Sequence, residues 1–147
     1  SGEYSFGTSA TFLSLGLVDI QGALEWLKKQ NNVNMKAVAL MGVGAGGDLA
    51  YQGARQLARQ IHSAIVISPS PSALTEGTFI SERPPRAVLF CASSGDSSGS
   101  SMMAAESLAN FTELPKKVVI YQSNAHGLSM FYKHPEIAQE ILTWLRQ

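Results

Sequence analysis

Apolar residues in this chain fall into two patterns, short unbroken runs and longer stretches of helical period. The runs are Ala37 to Met41, Ser63 to Ser68 (SAIVIS), Arg86 to Ala92 (RAVLFCA) and Lys117 to Gln122. Unbroken apolar character over so short a span suits strands covered on both faces, as in parallel sheets. Between them lie helical patterns. In Gly16 to Gln30, Leu17, Ile20, Leu24 and Leu27 share one stripe, and Lys28 and Lys29 fall in the last turn, where cations suit the helix dipole. A second helix runs from about Gly47 to Gln60, with Leu49, Ala50, Ala54, Leu57 and Ile61 inward, and a third spans Met102 to Phe111. The last spans Pro135 to Leu145, with Pro135 at its first position and Ile137, Ile141, Leu142 and Leu145 as its apolar face.

The remaining segments read as breaks and loops: Ser1 to Ser14, Asn31 to Asn34, Pro69 to Pro85, Ser93 to Ser101 and Ser123 to Leu128. Strands alternating with helices predict an α/β fold, a mainly parallel sheet of about four strands with helices on both faces in three layers. We therefore expect an N-terminal loop over residues 1–15 and one α/β domain over residues 16–147.

Composition narrows the possibilities without choosing among them. Eleven basic residues balance eleven acidic ones, so the chain offers no electrostatic reason to bind nucleic acid or an anionic membrane. No apolar run reaches the roughly 20 residues that span a bilayer, and no signal-peptide pattern opens the chain. A soluble, cytoplasmic protein is the expectation. With Cys91 alone there is no internal disulfide and no cysteine-based metal site, and the histidines and carboxylates show no ligand spacing. No metal and no cofactor are expected. Cys91 lies inside an apolar strand and reads as core, His62 and His134 flank helix ends and read as structural, and the serines at 93, 94, 97, 98, 100 and 101 read as solvated loop.

Candidate chemistry begins where the strand ending at Met41 runs into Gly42-Val43-Gly44-Ala45-Gly46-Gly47. A glycine-rich turn between strand and helix lets the two backbones approach closely. Two chemistries use it. One is the dinucleotide fingerprint G-x-G-x-x-G, satisfied by Gly42, Gly44 and Gly47. The other is the nucleophile elbow G-x-S-x-G, matched by Gly42, Gly44 and Gly46 with glycine in place of serine. The dinucleotide reading asks for an acid at the end of the next strand to hold a ribose, and Val66 to Ser70 has none. Asp96 follows the third strand and His126 the fourth, and an acid and then a histidine after the elbow is the chain order of an α/β-hydrolase triad.

From about Asp19 onward the chain resembles the C-terminal two-thirds of an α/β-hydrolase, most like the small dienelactone-hydrolase or acyl-peptidase type. DIQGALEWLKKQ, VALMGVGAGGDLA, SGD and NAHG carry the resemblance. It implies an ester or amide hydrolase ancestry and a small acyl or ester ligand. Asp96 would be the triad acid, His126 the general base and Gly44 the nucleophile position. Ala45 would offer one oxyanion N–H, with Gly42, Gly46 and Gly47 shaping the elbow. Two departures follow. Glycine at position 44 has no nucleophile, and the family's early strands, with the second oxyanion donor, have no counterpart in the sequence.

Three readings therefore stand. One is a hydrolase-like domain that is inactive. Another is a dinucleotide-binding module. The third is a non-catalytic binding or assembly domain, for which the open edge of the elbow strand would favour pairing with another copy.

Overall fold

The computed structural model describes residues 9–72, 87–96 and 100–147. Expectations for residues 1–8, 73–86 and 97–99, including most of the proline-rich loop, the start of the third strand at Arg86, and Ser97 and Ser98, lie outside them.

Four parallel strands form one sheet in the order β1-β2-β3-β4: β1 Ala39–Val43, β2 Ser63–Ile67, β3 Val88–Ser93 and β4 Lys116–Tyr121. Pairing runs in simple register, with Met41 opposite Ile65, Ile65 opposite Leu89 and Phe90 opposite Val118. The α/β fold with about four parallel strands is as the sequence predicts.

Side chains alternate across the sheet, as the two-residue period of a strand requires. Ala64, Val66, Val88, Phe90 and Ala92 face one core, shared with Leu24, Tyr51, Ala54, Ala105 and Leu108. Ile65, Ile67, Leu89 and Cys91 face the other, shared with Tyr121, Met130, Ile137, Ile141 and Trp144. Helices α1 Ser9–Leu27, α2 Ala45–Gln56 and α3 Ser100–Asn110 cover the first face, and α4 Ser129–Lys133 and α5 Glu136–Leu145 the second. The central strands β2 and β3 are thus sealed on both sides, which explains their unbroken apolar runs. β1 is an edge strand, and Met41 on it is 54% exposed.

Several boundaries differ from expectation for identifiable reasons. The first helix begins at Ser9, so residues 9–15 are not loop: Leu13 is buried one turn before Leu17 and extends the apolar stripe backward. That helix stops at Leu27, short of Lys28 and Lys29. A single 3-10 turn, Met35–Ala37, then delays the elbow strand to Ala39, with Asn34 Oδ1 accepting the Lys36 N–H. α2 starts earlier than predicted, at Ala45, and ends at Gln56, where Leu57 N–H still bonds to Gly53 O. The chain also forms α4, a short helix with no clear apolar period.

On α5 the inward residues are Ile137, Ile141 and Trp144, whereas Leu142 and Leu145 are exposed. Trp144 takes the place because its indole N–H donates to Ser63 Oγ at 2.8 Å, so its polar atom is satisfied as its ring is buried. Ser93, expected in solvated loop, is the last residue of β3 and fully buried, and Ser101 is buried inside α3.

Candidate functional site

The site lies at the carboxyl ends of the four strands, where loops leave a parallel sheet and side chains can converge. β1 ends at Val43, and the chain turns at once into α2 through Gly44. Gly44 has φ 58° and ψ −127°, a backbone conformation that side chains disfavour. Its N–H donates to Ile67 O at 2.8 Å, and its own carbonyl accepts the N–H groups of Gly47 and Asp48, so the turn is fixed by backbone bonds alone. A Cβ at Gly44 would meet nothing within 4 Å. The position is therefore strained in its backbone and open in front, the condition in which a nucleophile elbow presents its serine.

Gly42 is required for a different reason. A Cβ there would sit 1.9 Å from Gly46 O, where the start of α2 folds back on β1. Gly46 itself has open space at its Cβ, so its place in the motif reflects no steric need in the described structure, whereas Gly47 packs with its Cβ position 3.1 Å from Ile67 O. Ala45 is the first residue of α2, and its N–H belongs to the first turn, whose donors have no partner within the helix.

Asp96 and His126 are brought together. His126 Nδ1 donates to Asp96 Oδ2 at 3.0 Å across the ends of β3 and β4. The Asp96 side chain is fully buried and the His126 side chain half exposed. Burial pushes the Asp96 carboxyl up, but hydrogen bonds from Ser101 and His126, and the charge His126 carries when protonated, outweigh it and hold Asp96 below its ordinary value. An ionised Asp96 can only accept, so it fixes the proton on His126 Nδ1 and leaves Nε2 as the free lone pair.

Further hydrogen bonds hold these pieces in place. Ser68 directly follows β2 with φ 49°, is buried, and its Oγ accepts the Gly127 N–H at 3.0 Å, directly after His126. A Cβ on Gly127 would lie 3.9 Å from Val43, which places the histidine loop over the end of the elbow strand. Asp48, buried in the first turn of α2, accepts the Ser70 N–H at 2.9 Å and pins the segment after β2 to the elbow helix.

The other histidines remain apart from this centre. His62 lies near the amino end of β2. His134 bonds Ser123 Oγ and Glu136 and stacks against Tyr121. Cys91 is buried within β3, and that burial pushes its thiol up to about 12, an inert state for a nucleophile. Among the described residues no group of three or more potential ligands could hold a metal ion, and no described helix is long and apolar enough to cross a membrane. A cavity of about 430 Å³ opens at the opposite ends of the strands, between Ala39, His62, Ser63 and Trp144, and holds neither Asp96 nor His126.

Comparison with known proteins agrees with this fold. The model of the dienelactone hydrolase family matches residues 6–141. The fold is similar to that of a dienelactone hydrolase from Anabaena variabilis, with TM-score 0.69 and 18% identity, covering 91% of this chain and 60% of that one. An esterase from Pyrococcus furiosus is similar at TM-score 0.67 and 14% identity, covering 99% and 65%. An acylaminoacyl peptidase from Pyrococcus horikoshii is similar at TM-score 0.54 and 17% identity, covering 78% and 24%. The chain thus spans less than two-thirds of the length of these proteins, and at these identities the likeness is one of fold. No curated protein sequence matches the chain.

Proposed function

The chain belongs to the dienelactone hydrolase family, and from that premise we propose that its site is that of a serine acyl hydrolase, of the ester or amide class, with the nucleophile replaced by Gly44 and turnover lost. In the intact chemistry a serine at this elbow attacks the acyl carbonyl. His126 Nε2 takes the serine proton, Asp96 holds the imidazole in the required tautomer, and the Ala45 N–H faces the developing oxyanion. The observation that supports the reading most is the Asp96–His126 hydrogen bond, 3.0 Å long, in a loop seated over an elbow whose residue 44 has φ 58° and no side chain.

Without the serine, only a water above Gly44 could be activated by His126. Loss of the serine alone costs such enzymes on the order of a million-fold in turnover. The chain as it stands is therefore a binder of small acyl compounds at most. The test is hydrolysis of a short-chain nitrophenyl ester by the unchanged chain, by Gly44→Ser, and by Gly44→Ser combined with His126→Ala. Turnover in the single variant, absent from the other two, is the expected result. A folded Gly44→Ser with no turnover, or with turnover indifferent to His126, contradicts the assignment.

A further inference from the structure

The loops carrying Asp96 and His126 leave neighbouring strands, and both are tied to Ser123, the second residue after β4. The Ser123 carbonyl accepts the Gly95 N–H at 3.0 Å, one residue before Asp96. Its hydroxyl oxygen accepts the Ala125 N–H at 3.2 Å, one residue before His126. The first contact is tight as well as bonded: a Cβ on Gly95 would lie 3.2 Å from the Ser123 carbonyl oxygen.

Ser93 Oγ lies 2.8 Å from Met130 Sδ and 3.0 Å from Ser123 Oγ, and Ser123 Oγ lies 2.8 Å from His134 Nε2. Ser123 Oγ thus has three hydrogen-bond partners, Ser93 Oγ, the Ala125 N–H and His134 Nε2. The His134 ring is itself fixed: Nδ1 lies 3.1 Å from Glu136 Oε1, the ring stacks on Tyr121 at 4.6 Å, and its backbone N–H donates to Met130 O at 2.8 Å.

We propose that Ser123 is a positioning residue for the Asp96–His126 pair, joining the two loops through its carbonyl and its hydroxyl, with His134 holding the hydroxyl in register. The proposal rests on the acyl-hydrolase reading of that pair. Ser123 touches no reacting atom, because its oxygen is turned into the network. Its loss acts asymmetrically. The carbonyl bond to Gly95 survives in Ser123→Ala, whereas the Ala125 N–H loses its acceptor, so the histidine loop slackens while the aspartate loop stays.

The test is imidazole NMR of the full chain labelled with 15N-histidine, with thermal unfolding measured alongside. In the unchanged chain the His126 Nδ1 proton is expected as a distinct, exchange-protected signal. Ser123→Ala should lose or shift it in a folded protein, Ser123→Thr should restore it, and His134→Phe, which retains the ring against Tyr121, should shift it in part. In the Gly44→Ser background, Ser123→Ala should lower kcat by roughly 10- to 100-fold with KM unchanged, the size expected of misplacement by about an ångström. Unaltered His126 signals in folded Ser123→Ala overturn the proposal, as does a fluorophosphonate adduct on Ser123, which would make it a nucleophile. Should Ser123→Ala fail to fold, unaltered signals in His134→Phe decide against it. An inactive Gly44→Ser with responsive His126 signals would leave the positioning role standing and sink the hydrolase reading instead.

Discussion

At the elbow, shape comes from absent side chains: Gly42 must be bare because a Cβ would strike Gly46 O, and Gly44 holds φ 58° by bonds between backbone atoms. At the ends of β3 and β4 shape comes from side chains instead. Asp96 bonds His126, Ser68 accepts from Gly127, and Ser123 ties the two loops together. The difference is one of means: one region is shaped by backbone atoms and small residues, the other by hydrogen bonds from side chains. Backbone bonds hold the elbow and the space beyond Gly44 is open, so a side chain there would meet no neighbour and would bear only the strain of φ 58°. The aspartate–histidine pair is instead held by side-chain hydrogen bonds among the loops that follow β2, β3 and β4.

Substitutions in both regions test that contrast. The largest effect is the gain of turnover on restoring serine at Gly44, because the missing group is worth on the order of a million-fold. Next in size is Gly42→Ala. Its Cβ would overlap backbone at 1.9 Å, which only movement of α2 against β1 can relieve. A loss of about 3 kcal/mol in urea unfolding is expected, at the upper end of overpacking costs. Gly46→Ala should do the reverse, since its Cβ meets nothing within 4 Å and alanine favours a helix interior over glycine by up to about 1 kcal/mol. Equal effects at the two glycines would contradict the account of the elbow.

The dyad side predicts a pH dependence. The folded carboxyl of Asp96 lies below its ordinary value, so its contribution is complete above that value, about 4, and is lost as pH falls through the folded one. Asp96→Asn should therefore be less stable than the unchanged chain near neutrality, with the gap closing in acid. A gap constant from pH 7 to pH 2 would place the cost elsewhere. Cys91 gives the opposite signature. Its folded thiol is raised to about 12, so its contribution holds below the ordinary thiol value and fades as pH rises toward 12. Cys91→Ala should lose about 1 kcal/mol or more to the cavity at neutral pH, and regain ground on the unchanged chain in alkali.

Much of this was legible in the sequence, for physical reasons. The strands were visible because β2 and β3 are buried on both faces, and Asp96 and His126 because each follows an apolar strand, β3 and β4. The tethers were not. Ser68 reads as the end of a strand and Ser93 and Ser123 as turn formers, while the partner of Ser68 lies 59 residues away and Ser93 and Ser123 lie 30 residues from each other. The one signal they share is a lone hydroxyl at or just past the end of an apolar strand, on the side where the site forms. Gly42 and Gly46 were equally indistinguishable, since only the approach of two backbones separates a required glycine from a tolerated one. Trp144 displaced Leu142 and Leu145 from the core through its bond to Ser63, a contact no periodicity contains. The helix begun at Ser9 was hidden by the serines and threonines around Leu13.

The central claim is that Gly44 is an empty nucleophile position facing a poised Asp96–His126 pair. The most direct measurement is intact-mass analysis after fluorophosphonate treatment of the unchanged chain and its Gly44→Ser variant, both shown to be folded. One phosphonyl adduct in the variant, mapped to residue 44 and absent from the unchanged chain, is the predicted result. No adduct in the folded variant, or an equal adduct in both, would contradict the claim.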